Sequence, residues 1–141
     1  MADAVGMVVQ LDASFEVALQ RTREALKAEG FGILTEIDIQ AAFKEKLGRD
    51  FRPYVILGAC NPSLAYSALT ADPQVGLLLP CNVTVEAAAN GGSVVRLVDP
   101  VRLMAASALG ASAAIGGVAT DARERLQRVA HTLANAPGPT A

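Results

Sequence analysis

Tryptophan is absent from this 141-residue chain, aromatic residues make up only 4% of it, and histidine occurs once. Lysine and arginine number 12 against 14 acidic residues, which gives a net charge of -2. This balance provides no basic surface for the phosphates of a nucleic acid. Two cysteines and one histidine are too few ligands for a zinc site, unless a dimer combines four thiolates. We therefore expect neither nucleic-acid binding nor a metal centre.

Long hydrophobic runs are also missing. No segment reaches the ~20 unbroken apolar residues that a membrane-spanning helix needs. The nearest candidate, residues 103–119, is rich in alanine, glycine and serine and lies between Arg102 and Asp121. The first residues lack the basic and apolar regions of a signal peptide. We therefore expect a cytoplasmic protein with reduced cysteines.

Small apolar residues are abundant instead. Hydrophobic residues make up 52% of the chain and charged residues 18%. A chain of this length is predicted to be a single domain, residues 1–141, that buries roughly two thirds of its unfolded surface. We place its core at about residues 5–136 and expect the tail, residues 137–141, to fray. The apolar surplus indicates either the interface of an obligate homodimer or the alanine-rich composition of a high-GC genome.

Apolar periodicity, helix caps and glycine or proline stops predict the secondary structure. Strands are predicted at residues 5–11, 31–37, 54–59, 75–79, 81–88 and 94–98. Helices are predicted from residue 15 to the stop at Gly30, at 39–47 with Phe43 and Leu47 buried, at about 62–70, at 101–105, and after a cap at Thr120. Residues 106–117 fit a loop or a loose helix equally well.

This order of elements predicts an α+β fold, a two-layer sandwich with a mixed, mostly antiparallel sheet and helices packed on one face. The other face of such a sheet needs a cover. We expect a second copy of the chain to provide it.

The two cysteines lie in the least ordinary stretches of the sequence, Tyr54-Val-Ile-Leu-Gly-Ala-Cys60-Asn61-Pro62 and Leu77-Leu-Leu-Pro80-Cys81-Asn82-Val83. Asn61-Pro62 is typical of a helix start, so Cys60 is expected beside the positive end of a helix dipole. A thiol in that position ionises more readily than a free one. Both cysteines could equally be small buried hydrophobic residues.

The two cysteine motifs, together with the helix pattern at residues 15–26, Gly30-Phe31 and Asp99-Pro100, resemble the domain of unknown function 302 family. The resemblance covers about residues 5–103. It implies a small two-layer α/β fold that usually forms a homodimer. It implies no established reaction.

Two functions from different classes remain open. The first is a homodimer without catalysis that binds a small molecule or effector near Cys60, Asn61, Pro80, Cys81 and Asn82. The second is a thiol-dependent redox or sulfur-transfer protein, with Cys60 as the attacking thiolate and Cys81 as its partner. The sequence identifies neither the ligand nor a cofactor.

Overall fold

A computed structural model describes residues 5–135 of the chain. Within them, the five strands are β1 (Gly6–Leu11), β2 (Gly32–Asp38), β3 (Tyr54–Cys60), β4 (Cys81–Ala87) and β5 (Ser93–Val98). The α-helices are α1 (Phe15–Ala28), α2 (Ile39–Leu47), α3 (Pro62–Ala71), α4 (Pro100–Ala105) and α5 (Ala113–Ala134), with short 3-10 helices at Pro73–Leu78 and Ala108–Ala111. The predicted frayed tail lies outside the described residues.

Side-chain caps begin the helices, as the sequence predicts for most of them. Asn61 Oδ1 accepts a hydrogen bond from the Leu64 N–H at 3.2 Å, and Asp99 Oδ1 accepts one from the Val101 N–H at 2.9 Å. Proline follows both caps, where its missing N–H costs no helical hydrogen bond. Gly48, with φ 64°, ends α2 in the left-handed conformation that glycine adopts without strain.

The strands form one sheet in the order β1-β5-β4-β3-β2, and all four neighbouring pairs are antiparallel. The α+β class predicted from the sequence is therefore confirmed. Strands β1 and β2 are the two edges of this sheet. A bulge between Ile33 and Thr35 interrupts the pairing of β2 with β3.

Helices α1, α3, α4 and α5 lie on one side of the sheet, which we call the helix-side face. Leu57, Val83 and Leu97 on this face pack in one buried cluster with Leu26 of α1 and Leu126 of α5. A second, smaller cluster joins α3, α4 and the beginning of α5. Its buried residues are Ala68, Val75, Met104, Ile115 and Ala119.

The other side of the sheet, which we call the open face, carries the alternate residues of each strand. It presents Val8, Ile56, Asn82, Thr84, Glu86, Val94 and Arg96. At one corner the rings of Phe43 and Phe51 lie with their centroids 5.2 Å apart, and Phe51 is 6.1 Å from Tyr54. This aromatic cluster fastens α2 beside the first residue of β3.

Residues 75–79 do not form the predicted strand. They belong largely to the 3-10 helix Pro73–Leu78, in which Val75 is buried but Leu77 is 88% exposed. The physical reason lies in Asp72-Pro73, where Asp72 Oδ1 accepts a hydrogen bond from the Gln74 N–H at 2.9 Å. The aspartate-proline pair starts a helical turn here, as the similar pair does at Asp99.

The last helix is longer than predicted. It begins at Ala113, where the Ser112 hydroxyl accepts a hydrogen bond from the Ile115 N–H, and not after Thr120. Ile115, Ala119 and Ala122 are buried along one side of it. The prediction that α2 buries Leu47 is also wrong, because this side chain is 63% exposed.

Candidate functional site

A cavity of about 40 Å³ lies where the two hydrophobic clusters meet, and both cysteines line it. We call it the cysteine cavity. Its walls come from the ends of β3 and β4 and from helices α3, α4 and α5. Short side chains leave the space open, since Ala59, Ala65, Ala68, Ala119 and Ala122 are all part of the wall.

The structure divides the five predicted site residues between two places. Cys60, Asn61 and Cys81 line the cysteine cavity. Asn82 lies on the open face, in a depression that it shares with Thr84 and Arg96. Pro80 also lies on the side of the open face. Its Cγ is only 2.8 Å from the position that a Cβ on Gly58 would occupy, and Gly58 pairs with Asn82. The five residues therefore do not form one pocket.

The register of the sheet explains how the two cysteines are placed. Cys81 pairs directly with Ala59, so Cys60 is one residue out of step with it. Successive residues of a strand point to opposite faces. Cys81 therefore shares the helix-side face with Ala59, whereas Cys60, the last residue of β3, belongs by its position to the open face. The two residues are near neighbours at one end of the sheet without being a directly opposed pair.

Both thiols are held in their neutral form. Burial raises the pKa of Cys60 above its ordinary value. Burial, and then the charge of nearby Cys60, raises the pKa of Cys81 to about 11. The prediction that Cys60 ionises easily is therefore wrong, although α3 begins where the sequence places it. The cause is desolvation, which disfavours the charged thiolate.

Asn61 has a structural role at the wall of the cavity. Its Oδ1 caps α3, and its Nδ2 lies beside Gly30, where an added Cβ would be only 2.9 Å away. Gly30, with φ 83°, follows the end of α1. Its contact with Asn61 therefore brings the end of α1 against the start of α3. Within residues 5–135 there is no group of three or more histidine, cysteine or acidic side chains that could hold a metal ion.

Sequence reasoning missed the far wall of the cavity, which includes Met104, Ile115 and Ala119. Ile115 falls in the segment, residues 106–117, that fits a loop or a loose helix equally well, and Ala119 comes just before the predicted cap at Thr120. A signal was present: Ile115, Ala119, Ala122 and Leu126 recur at helical spacing, and all four are buried in α5. Alanine and glycine around them weakened the pattern.

A model of the family described as "Domain of unknown function DUF302" matches residues 7–133 of the chain. The chain belongs to this family. The DUF302 resemblance that the cysteine motifs indicate is thus confirmed.

The DUF302 fold is also seen in a solved relative, the crystal structure of an uncharacterized conserved DUF302 protein from Bacillus stearothermophilus. It is 30% identical in sequence, the match covers 93% of this chain and 99% of that chain, and the TM-score is 0.81. A search of the curated proteins finds no significant match. Among the described helices, none has the length and apolar character needed to cross a bilayer.

Proposed function

We propose that this DUF302 protein is a cytoplasmic homodimer that binds a small apolar ligand, or the apolar end of a larger one, in the cysteine cavity. The observation that carries the proposal is the cavity itself, which is lined by apolar side chains and two neutral thiols. The transfer of an apolar group from water into such a site lowers the free energy.

The volume of the cavity limits the ligand. A single water needs roughly 10–15 Å³, an engineered cavity of about 150 Å³ holds benzene, and drug-sized ligands occupy about 300–1,000 Å³. At about 40 Å³, the cysteine cavity has room for a group of a few heavy atoms. The ligand class is therefore a short alkyl group or a molecule of similar size.

The thiol-dependent alternative receives no support from the electrostatics of the site. A thiolate is the reactive form of cysteine in both nucleophilic attack and disulfide exchange. The pKa of each thiol is raised, and that of Cys81 reaches about 11. We therefore assign both cysteines to the wall of the binding site.

The open face supports the homodimer. Val8, Ile56 and Val94 are half-buried apolar residues on a sheet side that the main helical layer does not cover. Thr84 Oγ1 is buried there, and it has no hydrogen-bond partner within the described part of the chain. A self-complementary contact between two open faces would cover the apolar residues and place a polar group against this hydroxyl.

A charged cluster on the open face, near the end of β4, fits the same interface. Burial of the Glu86 carboxyl works to raise its pKa, but hydrogen bonds from Arg96 and Arg52, with their charges, outweigh it and lower the pKa. Glu86 therefore stays ionised and holds both arginines on the sheet. The side chains of Arg52 and Arg96, 53% and 43% exposed, are available to contact a second copy.

Xenon tests the cavity directly, because it enters dry apolar cavities without needing polar contacts. We expect xenon to shift the NMR signals of the Met104 and Ile115 methyl groups. Ala65→Leu, which fills the cavity from α3, should abolish these shifts.

Ala71→Leu is the matched control, since Ala71 is an exposed residue of the same helix and does not line the cavity. It should leave the xenon response unchanged. Circular dichroism checks that both variants are folded. Wild-type protein whose Met104 and Ile115 signals do not respond to xenon would disprove the proposal.

A further inference from the structure

The outer edge of β1 has peptide groups that point away from the sheet. The Val5 carbonyl accepts a hydrogen bond from the Asp99 N–H at 2.9 Å, and the register continues without a shift from Gly6↔Val98 to Leu11↔Ser93. In an antiparallel pair every second residue bonds to the partner strand, and those between point outward. The N–H and C=O groups of Val8 and Gln10 therefore face outward, where no strand of residues 5–135 pairs with them.

The two edges of the sheet are protected very differently. Strand β2 has a bulge between Ile33 and Thr35 and carries the acidic residues Glu36 and Asp38, features that prevent a further strand from adding to an edge. Strand β1, with the sequence Gly-Met-Val-Val-Gln-Leu, has neither a charge nor a proline, and its register is regular. By this criterion β1 is an edge that can accept a strand.

A groove of about 650 Å³ runs beside this edge, between β1 and the outer side of α5. We call it the β1 groove. Its floor is formed by residues 6–10, and Arg123, Gln127 and His131 line it at one-turn intervals along α5. The space is large enough for a short extended peptide.

One end of the β1 groove is positively charged. Arg102 and Arg123 both lie near the carboxylate of Asp99, with Arg123 Nε 3.4 Å from Asp99 Oδ2. Arg123 Nε makes no hydrogen bond to any described residue, and the side chain is 40% exposed. The lining residues thus carry two guanidinium groups and one carboxylate. This end lies beside Val5, the residue before β1.

We propose that the β1 groove binds the extended C-terminal end of another polypeptide as a sixth strand, antiparallel to β1. Main-chain hydrogen bonds to Val8 and Gln10 would hold the strand, as in other cases of strand addition. An antiparallel strand runs from Gln10 toward Gly6, so its terminal carboxylate arrives at Arg123. A charge-assisted hydrogen bond then fixes the end of the peptide.

A second copy of this chain fits the groove less well. Two β1 strands paired about a two-fold axis would bring the Gly6 end of one strand to the Gln10 end of the other. Arg123 of one copy would then meet Gln127 and His131 of its partner's groove, and no carboxylate. Charge complementarity therefore favours a free C-terminus over the β1 strand of a second copy.

A random hexapeptide library provides the probe, in one form with free carboxyl ends and in a second form with amidated ends. We expect wild-type protein to retain peptides from the free-carboxyl library and few from the amidated one. Arg123→Gln should weaken binding of the selected peptides by about tenfold or more, because it removes a charged hydrogen-bond donor. Arg128→Gln is the matched control, since this exposed residue of α5 pairs with Glu29 outside the groove.

A second pair of measurements tests the strand itself. Val8→Pro removes an outward-facing N–H without removing a bond to β5, and it should abolish binding while the protein remains folded by circular dichroism. In wild-type protein the Val8 and Gln10 amides should exchange rapidly with solvent and become protected when a selected peptide is added.

Equal retention of both libraries would overturn the proposal. So would binding that Arg123→Gln leaves unchanged, or Val8 and Gln10 amides that peptide does not protect. Val8 and Gln10 amides that are already protected in wild-type protein without peptide would show that a second copy occupies the edge, and this result also contradicts the proposal.

Discussion

At the scale of single residues, the environment of each cysteine decides its chemistry more than its neighbours in sequence do. Cys60 follows an apolar strand and precedes a helix, as the sequence shows, yet burial raises its pKa. Cys81 is affected more strongly, with a pKa of about 11. A thiol with that pKa is ionised to about one part in ten thousand at pH 7, since each pH unit changes the ratio tenfold.

Alkylation measures this directly. In a Cys60→Ser variant, iodoacetamide should modify Cys81 slowly at pH 7, and the rate should rise through pH 10 because only the thiolate reacts. The midpoint should lie a little below the wild-type value of about 11, since the charge of Cys60 contributes to it. Mass spectrometry gives the rates, and a denatured sample is the control. Rapid labelling of Cys81 in the folded protein at neutral pH would contradict the assignment.

At the scale of elements, short cap signals determine where helices begin. Asn61-Pro62 and Asp99-Pro100 start α3 and α4 as predicted, and Asp72-Pro73 starts a 3-10 helix where a strand was expected. The same local signal therefore overrides an apolar run of a few residues. These capped starts place α3 and α4 around the cysteine cavity.

The cap of α3 can be tested by mutation. Asn61→Ala should lower the free energy of unfolding by about 1 kcal/mol, because the Leu64 N–H loses its partner. Asn61→Ser, which keeps a capping oxygen, should lower it by less. Denaturant titration with a common slope gives both values. Equal losses in the two variants would show that the contact of Asn61 with Gly30, and not the cap, stabilises this junction.

At the scale of the whole molecule, the sheet has one face under its main helices and one that carries half-buried apolar residues around a charged cluster. The helix-side face is closed by Leu26 and Leu126, among others. The open face has Glu86, only 6% exposed, held between two arginines. Such a face is suited to a contact with a second copy.

Light scattering after size exclusion should give wild-type protein a mass of twice 14.5 kDa. Ile56→Lys should produce the monomer, because an unpaired charge at the centre of an apolar interface is costly. Leu77→Lys is the control, since Leu77 is 88% exposed and lies outside the sheet. A wild-type mass of 14.5 kDa at every concentration would disprove the homodimer.

The sequence alone was sufficient to predict the order of most helices and strands along the chain. Polar caps, glycine stops and alternating apolar residues are local features, and they predicted helices α1, α2 and α3 and strands β4 and β5 close to their observed bounds. Prediction failed where local signals were weak or competed. Alanine and glycine concealed the beginning of α5, and the cap at Asp72 overrode the apolar residues after it.

The arrangement of the candidate site depended on the pairing of strands that are distant in sequence, which no local sequence pattern contains. The sequence identified Cys60 and Cys81 as the residues of interest, and both line one cavity. Only the register of β3 with β4 separated Pro80 and Asn82 from that cavity, because a shift of one residue reverses the face of every side chain. The pKa values of the thiols were likewise decided by tertiary structure, since desolvation arises from residues far away in the chain.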